Sequence, residues 1–320
     1  MTPVVVAAVL AAALTHATWN ALAHGIKDQL LAFTLVGAGG AVCGAALACA
    51  APLPAAGAWP ALLVSAALHV VYQGLLMRSF RMGEFGQMYP IARGTAPLVV
   101  TVLAAVFVHE MPGPWQLAGV LLASTGLVGV ALWGLRRRPA TTAGTTSDSG
   151  PAGGGAADGP GSSGTADTGG AGGGASAAAQ WPALTAAVGT GLAIASYTVV
   201  DGVGVRASGT SLGYIGWLML LEGVPIPLWA LATHRGRLPG LLRPVAVRGL
   251  LGGVLSVLAY GLVLWAQTRA PLAPVAALRE SSIIAGAAIG ALFFKERFGW
   301  PRTAASALLV GGIALMLHGA

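Results

Sequence analysis

Charge is scarce in this sequence. Only 8% of its 320 residues are Asp, Glu, Lys or Arg, whereas a soluble domain carries roughly 25%. A water-facing surface of this size cannot be assembled from so few charges, which excludes a soluble enzyme. Cysteine is nearly absent too. Cys43 and Cys49 share one apolar run, so neither a disulfide framework nor a Cys-based metal site can form. His16 and His69 lack metal-ligand spacing, and no metal or other cofactor is expected. There is no P-loop, which excludes ATP-driven transport within the chain. Glu280, Ser281 and Ser282 are adjacent but make no nucleophile–base set, so a membrane-embedded enzyme is not expected. The net charge of +7 does not signal nucleic acid. Its basic residues stand in short clusters between apolar runs, as they do on the cytoplasmic side of membrane proteins.

Apolar residues and glycine are abundant: 56% of the chain is hydrophobic and 48 residues are Gly. A hydrocarbon core of about 30 Å is crossed by roughly 20 apolar residues in a helix. Ten such runs are expected, near 3–24, 30–51, 59–79, 86–108, 114–135, 182–204, 211–232, 246–266, 272–294 and 300–318. The first has no basic n-region or cleavage site and reads as a retained helix. One connection is long. Residues 139–180 are Gly, Ala, Ser, Thr and Pro up to the closing Gln180, with Asp148, Asp158 and Asp167 as the only charges. Such a tract cannot bury enough apolar surface to offset its ordering entropy. It reads as a disordered linker between a five-helix unit at 1–138 and another at 181–320. Thirteen basic residues fall in or beside the loops after odd-numbered spans, and only Arg206 and Arg269 follow even-numbered ones. The positive-inside rule then places the odd loops and the linker in the cytoplasm and both termini outside. The expected location is a bacterial-type cytoplasmic membrane, with lipid as the surrounding partner.

The two halves correspond. At a shift of 186 residues Arg93 meets Arg279, Thr95 meets Ser281, Phe107 meets Phe293, Glu110 meets Glu296 and Gly126 meets Gly312. At a slightly different shift His16 and Asn20 meet Tyr197 and Asp201. An odd number of spans per half inverts the second copy, an architecture of secondary transporters whose sites lie near the midplane. The fold expected is an all-α membrane protein of ten helices in two inverted five-helix repeats. Tyr89-Pro90-Ile91-Ala92-Arg93 through His109-Glu110 and Gly126, with Leu278-Arg279-Glu280 through Lys295-Glu296 and Gly312, carry a likeness. On these stretches the chain resembles the drug/metabolite transporter superfamily, EamA type. The resemblance implies transport of amino acids, other metabolites, sugars or drugs, with many members exporting.

Ionisable residues inside a bilayer cost roughly 2.5–3.5 kcal/mol each at a helix centre, so each is a functional candidate. Arg93 and Arg279 lie equally deep in spans four and nine. A guanidinium fork suits a carboxylate or phosphate. The two are read either as anion contacts used alternately or as structural partners of carboxylates, with Arg93 favoured for binding and Glu280 a poor direct partner for its neighbour Arg279. Glu222, midway through span seven, is the first candidate for proton coupling, followed by Glu280 and Asp201. Pro225 and Pro227 should break the helix beside it. His16 and Asn20, His69 and Gln73, Tyr197 and Asp201, and Ser256 and Tyr260 each share a helical face four residues apart. Together they suggest a polar-lined cavity, with Tyr72, Tyr89 and Trp217 as aromatic walls or as interface anchors. Glu110 and Glu296 read as groups that fix loops. Gly40…Gly44 and Gly286…Gly290 are small-xxx-small patterns that let helices approach closely, within the chain or between protomers of a homodimer.

These features favour a secondary transporter working by alternating access on a small-molecule substrate. An amino-acid-like solute, exported and coupled to protons, fits the arginines and Glu222. A multidrug or cation exporter of the same fold, and a non-transporting scaffold acting through the linker, are the alternatives.

Overall fold

The computed structural model describes residues 1–82, 85–136, 172–285 and 300–318, and within them the side chains other than 24, 79–92, 130–136, 172–184, 301 and 302. Among the described residues every regular element is helical. The helices are α1 (Pro3–His24), α2 (Gln29–Ala50), α3 (Trp59–Met82), α4 (Phe85–Leu103), α5 (Pro114–Arg136) and α6 (Gly172–Ala207). They continue with α7 (Ser211–Gly223), α8 (Pro225–His234), the short α9 (Leu238–Leu242), α10 (Ala246–Gln267), α11 (Leu272–Arg279) and α12 (Trp300–His318). Apolar residues face outward as well as inward, with Leu53, Phe107 and Trp300 among the exposed ones. A helix apolar all round suits lipid. Pro3–Ala23, Gln29–Ala50, Ala56–Arg78, Thr185–Ala207 and Ser211–Gln267 are the described segments long and apolar enough to cross a membrane. In such surroundings hydroxyls turn back onto their own helix. Thr34, Thr101, Thr190 and Thr198 each donate to the carbonyl four residues earlier, at 2.6–2.7 Å.

The helix ends follow local chemistry. Asp28 caps α2 by accepting from the amides of Leu30 (2.9 Å) and Leu31 (3.3 Å), and Thr210 caps α7 through Gly213 (3.1 Å). Span seven divides at Val224 into α7 and α8, where Pro225 opens the second piece. Two expectations need correction, and one span end takes an unexpected form. The helix α6 begins at Gly172, inside the expected linker, because the Ala-rich run 175–179 favours helix. Span nine is interrupted: Glu280 and Ser281 donate to carbonyls only three residues back, and helix resumes at 282–285. Span four ends in a π-helical turn over Ala104–Val108, closed by His109 in the left-handed region (φ 58°). Most of the expected linker, and Glu296 with Gly286…Gly290, lie outside the described residues.

The halves interlock rather than forming separate cores. Helix α1 packs on α10, α3 on α6, α2 on α7 and α5 on α12. Glycine permits the closest crossings. A methyl placed on Gly44 would lie 2.7 Å from the Gly216 carbonyl of α7, and one on Gly312 would lie 2.5 Å from that of Gly119. Gly40 does not join such a crossing as its pattern suggested, because its face of α2 borders a cavity.

Candidate functional site

The cavity lies between α1, α2, α3, α6, α7, α10 and α11. It encloses about 80 Å³. On α2 it is bordered by positions 33–40, the first half of that helix, and on α3 by Tyr72 and Gln73 just past the midpoint, with His69 just before it. These positions are nearer the loops after odd-numbered spans. The opposite ends are sealed by a core of Leu62, Tyr214, Leu218 and Leu264 against Trp59, and the Ala55 amide donates to the Ser208 carbonyl at 3.0 Å.

Two side chains of opposite charge meet this cavity. Arg279, the last residue of α11, is 4% exposed, and its Nε has no hydrogen-bond partner among the described residues. Its guanidinium also donates to the Tyr197 hydroxyl. Glu222, in the last turn of α7, is 8% exposed and its Oε2 lacks a partner in the same sense. His69 Nδ1 is 3.5 Å from that oxygen. This is too long for a hydrogen bond, and the ring nitrogen is already placed to donate to the Ser65 carbonyl at 2.9 Å. A buried charged atom without a partner carries its full desolvation cost. Aromatic rings wall the space between them. His69 stacks on Tyr197 with centroids 3.9 Å apart, and Tyr260 meets His69 edge-on at 5.3 Å. Tyr72 meets Tyr197 edge-on at 5.6 Å.

The equivalent arginine is occupied. Arg93 donates from Nε to Glu280 Oε2 at 2.8 Å and from Nη2 to Ser282 Oγ at 2.9 Å, with Nη1 3.3 Å from His16 Nε2. Trp19 Nε1 approaches the other ring nitrogen of His16 at 3.2 Å. A neutral imidazole accepts at only one nitrogen, so His16 is held between two competing donors. Of the two readings of Arg93, this geometry favours the structural partner: its fork is filled by the interrupted segment of span nine. Glu280 is the buried partner of that ion pair, and its other oxygen, Oε1, has no hydrogen-bond partner among the described residues.

Of the expected substrate contacts, His16, His69, Tyr72, Gln73, Tyr197, Tyr260 and Arg279 border the cavity, as does Ser256. Asn20 does not; its amide donates to the His16 carbonyl of its own helix at 2.9 Å. Trp217 is also outside, edge-on to Trp59 at 5.2 Å. It stands two residues from the cavity-facing Met219, about 200° round the helix. The side chain of Tyr89 lies outside the described residues. Asp201 is fully buried beyond the wall, where it accepts from Tyr214 (3.0 Å) and Tyr260. Trp19, Phe33 and Met219 were missed as lining residues. Tyr214 and Ser65 were missed as partners, although Ser65 lies four residues from His69 and the face rule could have found it.

At the sealed end Glu110 does fix loops. Its Oε1 accepts from Arg206 Nη1 at 2.5 Å and its Oε2 from the Leu272 amide at 2.7 Å. Arg206 also donates to the carbonyls of Gln267 (2.7 Å) and Ala270 (2.9 Å). One pair thus joins the ends of α4, α6, α10 and α11. Among the described residues no cluster of three His, Cys, Asp or Glu side chains is placed to hold a metal.

Comparison with known proteins bears on the whole chain. A solved chain described only as "Crystal structure of protein" superposes with a TM-score of 0.66 at 15% identity, covering 97% of this chain and 98% of that one. At that identity the likeness is one of fold. No curated protein matches. The model of the EamA-like transporter family matches twice, over residues 3–148 and 181–318. Members of that family are transporters rather than enzymes, and the all-helical, apolar architecture is that of an integral multi-pass membrane protein. With both of its halves matched, the chain belongs to the EamA-like transporter family.

Proposed function

We propose that the chain is a secondary carrier that exports small zwitterionic, amino-acid-like solutes by alternating access. The observation that carries this reading is the pair of unpartnered, oppositely charged atoms, Arg279 Nε and Glu222 Oε2, on one aromatic-walled cavity. A carboxylate would take the guanidinium and an ammonium the glutamate, with the apolar part of the solute against Tyr197 and Tyr260. The cavity volume of about 80 Å³ favours a small solute over a drug-sized ligand, whose sites span about 300–1,000 Å³. Glu222 would bind either the ammonium or a proton, which links the two flows.

The reading includes ten spans in two inverted repeats, 1–138 and 181–320. It is supported by the double family match and by the reciprocal packing of α1 on α10 and α3 on α6. Under the positive-inside orientation the cavity's nearer end faces the cytoplasm, which suits loading for export.

The test is the melting temperature of the full-length protein in detergent against amino acids, organic acids, amines and cationic drugs. A ligand at 100 times its Kd adds about 2.7 kcal/mol. Stabilisation is expected from free amino acids, and it should vanish in Arg279→Ala. Stabilisation by amines or cationic drugs alone, dependent on Glu222, would replace this reading with a cation exporter. Silence from every ligand in a folded sample would overturn the carrier reading and favour a scaffold acting through the linker.

A further inference from the structure

The cavity has a second acid behind it that the ligand reading does not use. Asp201 is fully buried, six residues before the end of α6 and hence on the sealed side of the cavity. A charged carboxylate buried in the bilayer ordinarily pairs with a cation. Asp201 makes no ion pair among the described residues. Arg206, the cation next along its helix, is committed to Glu110 and to the carbonyls of Gln267 and Ala270. Three hydroxyls stand near the carboxyl instead: Tyr214 from α7 and Tyr260 from α10 donate to it, and Ser65 from α3 lies beside them with its oxygen 3.2 Å from His69 Nδ1.

Hydroxyls differ from cations in one respect that decides the chemistry. Each can donate or accept by rotating its hydrogen. The cluster can satisfy an ionised carboxylate with the two donated hydrogen bonds of Tyr214 and Tyr260. It can equally satisfy a carboxylic acid, whose own O–H is accepted by one hydroxyl. Proton gain therefore needs one hydroxyl to turn its own hydrogen to another acceptor, and Tyr260, which borders the cavity, is placed to do so. Of the three hydroxyls, only that of Tyr260 belongs to a side chain that borders the cavity. The other groups around the cluster are His69 on α3, Tyr197 on α6 itself, Glu222 on α7 and Arg279 on α11. Among them Glu222 and Arg279 bear on Asp201 from the cavity side with opposite sign.

We propose that Asp201 is a proton-carrying group of the transport cycle, reached from the cavity through the hydroxyl of Tyr260. In the inward step a proton donor in the cavity, water or Glu222, forms a new O–H bond at the Tyr260 oxygen. At the same time the original Tyr260 O–H bond breaks and its proton passes to Asp201 Oδ2. Tyr260 ends neutral, the cavity donor has lost one proton and Asp201 has gained one. Release reverses the two bonds. Because Asp201 lies on the sealed side and the substrate groups on the other, Tyr260 is the partition between proton and solute. This rests on the carrier reading for its place in a cycle, but the proton step itself needs no substrate.

The test is infrared difference spectroscopy of the full-length protein in liposomes, stepped between acidic and alkaline buffer. A pH-dependent carboxylic C=O band is expected in the wild type and should be lost in Asp201→Asn. Tyr260→Phe should shift that band and slow its response to the pH step at least tenfold, while Tyr214→Phe should shift it without slowing. An unchanged set of bands in Asp201→Asn would overturn the proposal. So would a Tyr260→Phe response as fast as the wild type. Should Asp201→Asn fail to fold, the two tyrosine variants decide alone, and equal effects from both would overturn the Tyr260 route. A silent ligand screen leaves this measurement standing, and a negative infrared result leaves the Arg279–Glu222 site standing.

Discussion

Arg93 and Arg279 occupy equivalent positions in the two repeats, yet one is a strut and the other borders the cavity. The residues that follow them explain the difference. The second half continues Glu280-Ser281-Ser282, where the first has Gly94-Thr95-Ala96. Glu280 and Ser282 reach back to fill the Arg93 fork. No reciprocal acid exists at Gly94, and none would fit, because a methyl there would lie 2.8 Å from Leu127 Cβ on α5. The halves are therefore alike in frame and unlike in chemistry. One arginine ties α4 to span nine, and the other borders the cavity.

The largest break in this comparison should come from the strut. Removing one member of a buried ion pair strands the other and costs about 3–5 kcal/mol. Arg93→Ala and Glu280→Ala should each lower the melting temperature sharply, while Arg93→Met with Glu280→Met should recover most of it. Equal melting of wild type and Arg93→Ala would mean the pair is no strut. Arg279→Ala should behave differently, with little change in melting without ligand. Loss of one charge-assisted contact, about 1.5–3 kcal/mol, should weaken carboxylate binding roughly 10- to 100-fold in a calorimetric titration. Gly94→Ala tests the asymmetry itself. Crowding against Leu127 should destabilise by about 1–3 kcal/mol, read as a lower melting temperature; a neutral result would show that the first half has room for an acid after all. The smallest effect belongs to the sealed end. Glu110 and Arg206 are 23% and 29% exposed in their side chains, so Glu110→Gln should cost about 1 kcal/mol or less. The measurable mark is that high salt should shift the melting of the wild type more than that of the variant.

Much of this architecture is legible in the sequence for physical reasons. Apolar run length marks helices because backbone polar groups in lipid must be satisfied within the segment. Most described helices accordingly start and end within a few residues of expectation. Pro225 announces the break between α7 and α8. The interruption at Glu280 and Ser281 has no such sign, since neither Pro nor Gly stands there and side-chain contacts with Arg93 hold the turn. Each of the four polar pairs at helical spacing has a member on the cavity, but only His69 with Gln73 and Ser256 with Tyr260 have both there. Asn20 and Trp217 leave it for different reasons. Asn20 has a carbonyl of its own helix within reach, and Trp217 has Trp59 as a neighbour from another.

The sequence by itself determined a helical membrane protein, its repeat, and the few polar groups that must do chemistry inside it. Only the tertiary structure decided which arginine is committed, which acid meets the cavity and which lies behind Tyr260. Those outcomes depend on how each helix is rotated about its axis and on partners from the other half. Glu280 stands 187 residues from Arg93, and no local propensity or periodicity records such a neighbour. Hydrophobicity drives a helix into the bilayer, but it is direction-blind there, so close packing and the pairing of buried charge set the rotation.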